Sequence, residues 1–272
     1  MLDDRDLPAA RAIVDRDPVA NVFLGARLDT AGLDPHRLGA EVWGHSEDGG
    51  LASLCFSGAN LAPACATPGA VRAFADRARR QGRRCSSIVG PAEAVLDLWG
   101  QLHPHWGSAR DVREDQPLLV LREAPRLAPD PAVRRVRPDE LDVLMPASIA
   151  MFTEEVGISP LSGDGGALYR SRVGELVAAG RSFARIEDGQ VLFKAEIGAA
   201  TRDACQLQGV WVHPELRGEG LGSAGTAAVA IESLRTVAPA VSLYVNAYNA
   251  AARVAYERVG FTQEGTFASV LF

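Results

Sequence analysis

The chain has 272 residues, 47% apolar and 23% charged, which suits a packed core and excludes wholesale disorder. Its net charge of −6 argues against broad nucleic-acid affinity, which needs a basic surface to displace counterions. No apolar run reaches the roughly 18 residues of a membrane span, so no membrane association and a cytoplasmic location are expected.

In chain order, "VWGHSEDGGLASLCFSG" (42–58) predicts a hairpin around Asp48-Gly49. A helix follows at 68–81, then a strand "CSSIVG" (85–90), a helix "PAEAVLDLWGQL" (91–102) and a closing strand "RDVREDQPLLVL" (110–121). Prolines 125, 129, 131 and 138 break "REAPRLAPDPAVRRVRPDE" (122–140), a linker composition. Helical periodicity returns at 139–151 and 167–179. "RSFARIEDGQVLFKAEIGA" (181–199) is a hairpin around Asp188-Gly189, and "ACQLQGVWVH" (204–213) is the next strand. A glycine loop leads to a helix at about 220–235, followed by a strand "AVSLYVNA" (240–247). "NAAARVAYERVG" (249–260) is a helix with Asn249 at its N-cap and Gly260 at its stop. "FTQEGTFASVLF" (261–272) is expected to close the chain as a hairpin.

The same order of elements occurs on both sides of the linker. We therefore read a duplicated α/β (α+β) fold, each copy a mixed, mostly antiparallel sheet flanked by helices. The expected domains are 1–124 and 132–272, and only the second has a glycine-rich strand–helix loop.

That loop, "VWVHPELRGEGLGSAG" (210–225), carries the strongest chemical signal. A strand passing to a helix through Gly218, Gly220 and Gly222 exposes backbone N–H groups that have no intrahelical partner. The helix dipole adds positive charge there, and the glycines remove the Cβ atoms that would keep an anion away. The result is a cradle for a pyrophosphate. A P-loop would need Lys and Ser/Thr after the last glycine, and a dinucleotide fold would need G-x-G-x-x-G; this loop has neither.

The R-x-x-G-x-G pattern of Arg217–Gly222 follows a V-W-V-H-P strand. About 30 residues later comes N-x-A-A-R-x-x-Y-E-x-x-G-F, Asn249 to Phe261. Together they resemble the GNAT superfamily of acyl-CoA-dependent N-acetyltransferases over roughly residues 133–272. The N-terminal copy resembles a degenerate member, as in an actinobacterial group with an extra N-terminal domain of unknown function. The resemblance implies tandem GNAT-like folds, with a splayed parallel strand pair (205–212 and 241–246) in the C-terminal copy. Acetyl-CoA, or another acyl-CoA, would lie in that wedge as co-substrate. Its pyrophosphate would meet Arg217, Gly218, Glu219, Gly220, Leu221, Gly222 and Ser223, its pantetheine the strand at Val210, Trp211 and Val212, and Asn249 would bind the cofactor or act only as an N-cap. Tyr256 would protonate the departing thiolate, or serve as a buried core tyrosine.

The family's frequent glutamate, eleven residues before Arg217, is here Gln206. A hairpin turning at 199–203 would set Glu196 opposite Gln206 and Lys194 opposite Gln208, making Glu196 the candidate base or the partner of Lys194, the chain's single lysine. A water chain is the other route for the proton. Glu154 and Glu155, in "MFTEEVGISPLSG" (151–163), are read as attracting an ammonium group or as solvated. Cys55, Cys65, Cys85 and Cys205 lack C-x-x-C spacing and are expected as buried free thiols; the five histidines fit no metal spacing, so no metal is expected.

The reading is an N-acyltransferase that moves an acetyl or short acyl group from acyl-CoA to an amine by direct attack. The acceptor would be a cationic small molecule or a peptide, with homodimerisation left open. A non-catalytic acyl-CoA-binding regulatory protein and a mycothiol-synthase-like tandem acetyltransferase are the alternatives.

Overall fold

The computed structural model describes residues 1–162 and 165–272; the last residue of the 151–163 segment, Gly163, lies outside them. The helices and strands run α1 (Leu7–Val14), α2 (Val22–Ala31), α3 (Pro35–Leu38), β1 (Glu41–Glu47), β2 (Gly50–Ser57), β3 (Asn60–Ala64), α4 (Pro68–Gln81), β4 (Ser87–Pro91), α5 (Ala92–Trp106) and β5 (Asp111–Leu121). They continue with β6 (Arg134–Arg135), α6 (Leu141–Val156), α7 (Ala167–Ala178), β7 (Ser182–Glu187), β8 (Gln190–Ala200), β9 (Cys205–Val212), α8 (Leu221–Thr236), β10 (Val241–Tyr244), α9 (Ala250–Val259) and β11 (Thr262–Leu271). Two compact units result: residues 1–119 with 244–248 and 263–272, and residues 120–243 with 249–262.

In the first unit the strand order is β1-β2-β3-β4-β11-β5. Alternation decides which side chain enters which core. Trp43, Cys55 and Leu61 pack with α4 and α5, whereas Val42, Leu54, Phe56 and Ala62 pack with α1 and α2. β3 and β4 are parallel over Asn60↔Ser87 and Leu61↔Ile88. Only residues 65–67 separate β3 from α4, with Thr67 capping the helix through Ala70 N–H, so this crossover has no room for a glycine cradle.

The second unit has the order β10-β9-β8-β7-β6. One face is covered by α6 and α7, whose Leu144, Met145, Val173 and Val177 pack on Ala184, Val191 and Trp211. α8 approaches the sheet closely at Gly225, where a Cβ would stand 2.7 Å from the Phe193 ring. The two units repeat the order hairpin, strand, helix, strand, helix. Each hairpin turns on an Asp-Gly pair with both residues at positive φ: 50° and 81° at Asp48-Gly49, 48° and 74° at Asp188-Gly189. Such two-residue turns match the twist of the strands they join.

Two expectations need correction. The last segment is one strand, not a hairpin: none of Gln263, Glu264 and Gly265 takes a positive φ, and β11 runs antiparallel to β4 from Phe267↔Pro91 to Leu271↔Ser87. Its Ala268 and Val270 enter the core of the first unit. Residues 263–272 therefore pack with the N-terminal unit, although the sequence split places them in 132–272. The register of β8 on β9 also differs. The turn lies at Thr201–Ala204, so Glu196 faces Gln208, Lys194 faces Trp211, and Gln206 faces Ala199. Among the described residues, no helix is long and apolar enough to cross a membrane.

Candidate active site

β9 carries the site because its two edges behave differently. On one edge it pairs with β8 along its length. On the other, its parallel register with β10 covers only Cys205↔Val241 and Gln206↔Ser242. The β10-facing edge of Leu207–Val212 thus lies outside that ladder, and unpaired backbone groups require another partner. A bulge marks the change: between Gln208 and Trp211, β9 spends one residue more than β8 spends between Glu196 and Lys194. Gly209 supplies it, at φ +60°.

After β9 the chain makes one 3-10 turn at Pro214–Leu216 and reaches the glycine loop. Gly218 and Gly220 adopt φ +83° and +88°, a region costly for residues with a Cβ. A Cβ built on either would meet no atom within 4 Å, so the space above the loop is open. Among the described residues, no backbone bond engages the N–H groups of Gly218, Glu219 or Gly220. Leu221, Gly222 and Ser223 form the first turn of α8, whose N–H groups have no intrahelical acceptor. These amides, with the dipole of a 16-residue helix, present a group of N–H donors of the kind that suits an anion.

α9 forms the opposite wall. Asn249 caps it by accepting from Ala252 N–H at 3.2 Å. Ala251, Ala255 and Arg258 follow at helical spacing on the face that meets the cleft, with Val254 beside them. Tyr256 is 8% exposed, lies edge-on to Phe261 and still reaches the cleft. Its hydroxyl has no hydrogen-bond partner among the described residues. Burial, reinforced by the Glu155 carboxylate, holds this phenol above the usual tyrosine range, so it stays protonated.

The cleft encloses about 370 Å³. Of the residues expected from sequence it gathers Val210, Trp211, Val212, Arg217, Gly218, Gly220, Gly222, Ser223, Asn249 and Tyr256. Glu219, Leu221 and Glu196 are not in its lining. Glu196 is buried, with Oε1 2.7 Å from Lys194 Nζ, a close ion pair rather than an aligned hydrogen bond. It is therefore the partner of the lone lysine, and not the partner of Gln206 that a simple register predicts.

Glu154 is not a free attractant for an ammonium group: it accepts from Trp211 Nε1 at 3.2 Å and from Arg217 Nη2 at 2.8 Å. Arg217 also donates from Nε to the Val212 carbonyl at 3.1 Å. Arg258, a second cation on the lining, was missed. The signal was present in the alanines at i and i+4 that precede it on one helix face. Burial pushes the Cys85 and Cys205 thiols up to about 11, and raises Cys55 further, so none of these three is a thiolate at neutral pH.

Comparison with known proteins fits this geometry. Residues 194–269 match the family model described as FR47-like protein, and residues 40–144 match a domain of unknown function, DUF4081. No curated protein matches the chain. Among solved structures, the chain is similar to a Drosophila protein at TM-score 0.70 and 14% identity, covering 100% of this chain and 97% of that one. It is also similar to a GCN5-related N-acetyltransferase from Kribbella flavida, at TM-score 0.56 and 15% identity, covering 93% and 94%. A tandem GNAT protein from the clavulanic acid biosynthesis pathway aligns at TM-score 0.51 and 15% identity, covering 85% and 82%. The fold is that of the tandem GNAT proteins.

Proposed function

We propose that this chain, which carries the fold of the GNAT acetyltransferases, is an N-acyltransferase that uses acetyl-CoA or another short acyl-CoA. One observation carries the reading: the open edge of β9, the glycine loop with unengaged amides and the protonated Tyr256 phenol all line one cleft. The amides of 218–223, together with Arg217, would hold the diphosphate. Val210–Val212 would offer their free edge to the amides of the pantetheine arm. Asn249 accepts from Ala252 N–H as the N-cap of α9, and its side-chain NH2, on the cleft lining, would donate to the cofactor.

The donor supplies an activated thioester. The amine nitrogen forms the new C–N bond as the C–S bond breaks, and Tyr256 gives its proton to the departing sulfur. The phenol is a weaker acid than the thiol formed, whose pKa is about 8–9, so its proton would pass only as the C–S bond breaks, and water would then return a proton to the phenolate. The amine's own proton leaves to water, because Glu196 is committed to Lys194. No enzyme nucleophile is needed, in keeping with the protonated thiols.

The acceptor we propose is an amine, either a small cationic molecule or a peptide. The second reading, an acyl-CoA-binding regulator without turnover, is favoured by one specific observation: Gln206 is no base, Glu196 is ion-paired outside the lining, and the carboxylate on the lining, Glu154, is held by Trp211 and Arg217. Thiol release from acetyl-CoA over a panel of amines, for wild type and Tyr256→Phe, separates the two. Amine-dependent release that falls in the variant supports the transferase. Tight binding with no release on any amine supports the regulator.

A further inference from the structure

Lys194 is the only lysine in the chain and is fully buried, 0% exposed, beside a Glu196 that is 4% exposed. Burying such a pair carries a large desolvation penalty for each ion, and an apolar pair of similar volume is often as stable or more so. Core packing alone does not account for it.

Both charged groups instead converge on the bulge in β9. Lys194 Nζ donates to the Gly209 carbonyl at 3.1 Å. Glu196 Oε2 accepts from Gln208 Nε2 at 3.4 Å. A Cβ built on Gly209 would stand 3.1 Å from Lys194 Nζ and 3.3 Å from Glu196 Oε2, so the bulge rests directly on the pair. The next residue, Val210, is the first of β9 to line the cleft. A bulge re-aims the strand beyond it, and a fixed bulge fixes that aim.

We infer that Lys194 and Glu196 are positioning residues: by gripping the bulge from β8 they set the backbone of Val210–Val212 against the thioester arm of the acyl donor. The inference rests on the acyl-CoA reading above and adds a specific division of labour. The ion pair governs the arm, and the glycine loop governs the diphosphate.

The test compares two ligands, acetyl-CoA and 3′-phospho-ADP, which retains the diphosphate but lacks the arm. Lys194→Met/Glu196→Gln removes both charges at nearly constant volume, and avoids the unpaired buried carboxylate that Lys194→Met alone would leave. Calorimetry on the full chain should show acetyl-CoA weakened about tenfold or more in the double variant, with 3′-phospho-ADP within about twofold of wild type. Equal weakening of both ligands, or of neither, overturns the assignment. Glu196→Gln alone should lower turnover yet keep the shape of the pH–rate profile. Loss of the acidic limb would make Glu196 a base and overturn the positioning role. A wild-type chain that binds neither ligand overturns the acyl-CoA reading itself, and this inference with it.

Discussion

Arg217 and Glu154 are joined at 2.8 Å, so the arginine that opens the glycine loop is already held by a carboxylate from α6. Both side chains are nearly half exposed, which makes the pair weak and sensitive to salt. On the proposed binding mode, Glu154 would compete for the guanidinium and repel an incoming diphosphate. Glu154→Gln should therefore tighten acetyl-CoA about two- to fivefold at low ionic strength. Calorimetry at low salt and again at high salt checks this, and the gain should shrink at high salt.

Gly220 tests the loop itself. At φ +88°, an alanine would cost about 1–2 kcal/mol of stability through backbone strain, not through a clash, since no atom stands within 4 Å of the new Cβ. That methyl would point into the open space proposed for the diphosphate. Gly220→Ala should weaken acetyl-CoA more than tenfold while lowering the melting temperature by only a few degrees. Paired binding and melting curves give both numbers.

Tyr256→Phe removes a hydroxyl that bonds no described residue, so the fold should keep its stability. If the phenol is the proton donor, kcat should fall about 100-fold or more, with little change in acetyl-CoA affinity. Because its folded pKa lies above the ordinary value of about 10, wild-type kcat should show no alkaline loss from this group below about pH 10. A pH series of initial rates for both proteins is the measurement.

Glu140 provides a stability test away from the cleft. Arg134 donates to both of its oxygens, at 2.8 and 2.7 Å, and Arg137 N–H adds a bond at 2.9 Å. The Arg134 guanidinium first, then that backbone bond, lower its carboxyl to about 2. A depressed folded pKa gives stability that is present above the unfolded value and is lost as pH falls toward 2. Glu140→Gln should lower the melting temperature at pH 7, and the gap to wild type should close between about pH 4.5 and pH 2.

Local chemistry was legible in the sequence. Asp48-Gly49 and Asp188-Gly189 named their hairpins because only small or short polar residues tolerate two successive positive φ angles. Asn249 named its cap, and the glycines of 218–222 named the strand–helix cradle. Register was not legible. A strand pairing read as a constant offset fails when each partner carries an extra residue, and here Gly209 adds one to β9 and the region of Gly198 one to β8. Gly198 gives no sign of this in the sequence, although a Cβ there would fall 2.1 Å from Gln208 Oε1. The placement of β11 was hidden for another reason. Alternation tells which face of a strand is apolar but not which edge accepts it, and β4 lies far away in the chain. The short strands β3 and β6 and the N-terminal helices passed unread as well, since segments this brief carry little periodicity.

Binding of an acyl-CoA in the cleft between β9 and α9, as proposed, is tested most directly by titrating acetyl-CoA into the full chain in a calorimeter. One saturable heat of binding, diminished by Gly220→Ala, is expected. A cooperatively melting chain that yields no heat at high protein and ligand concentration would contradict it.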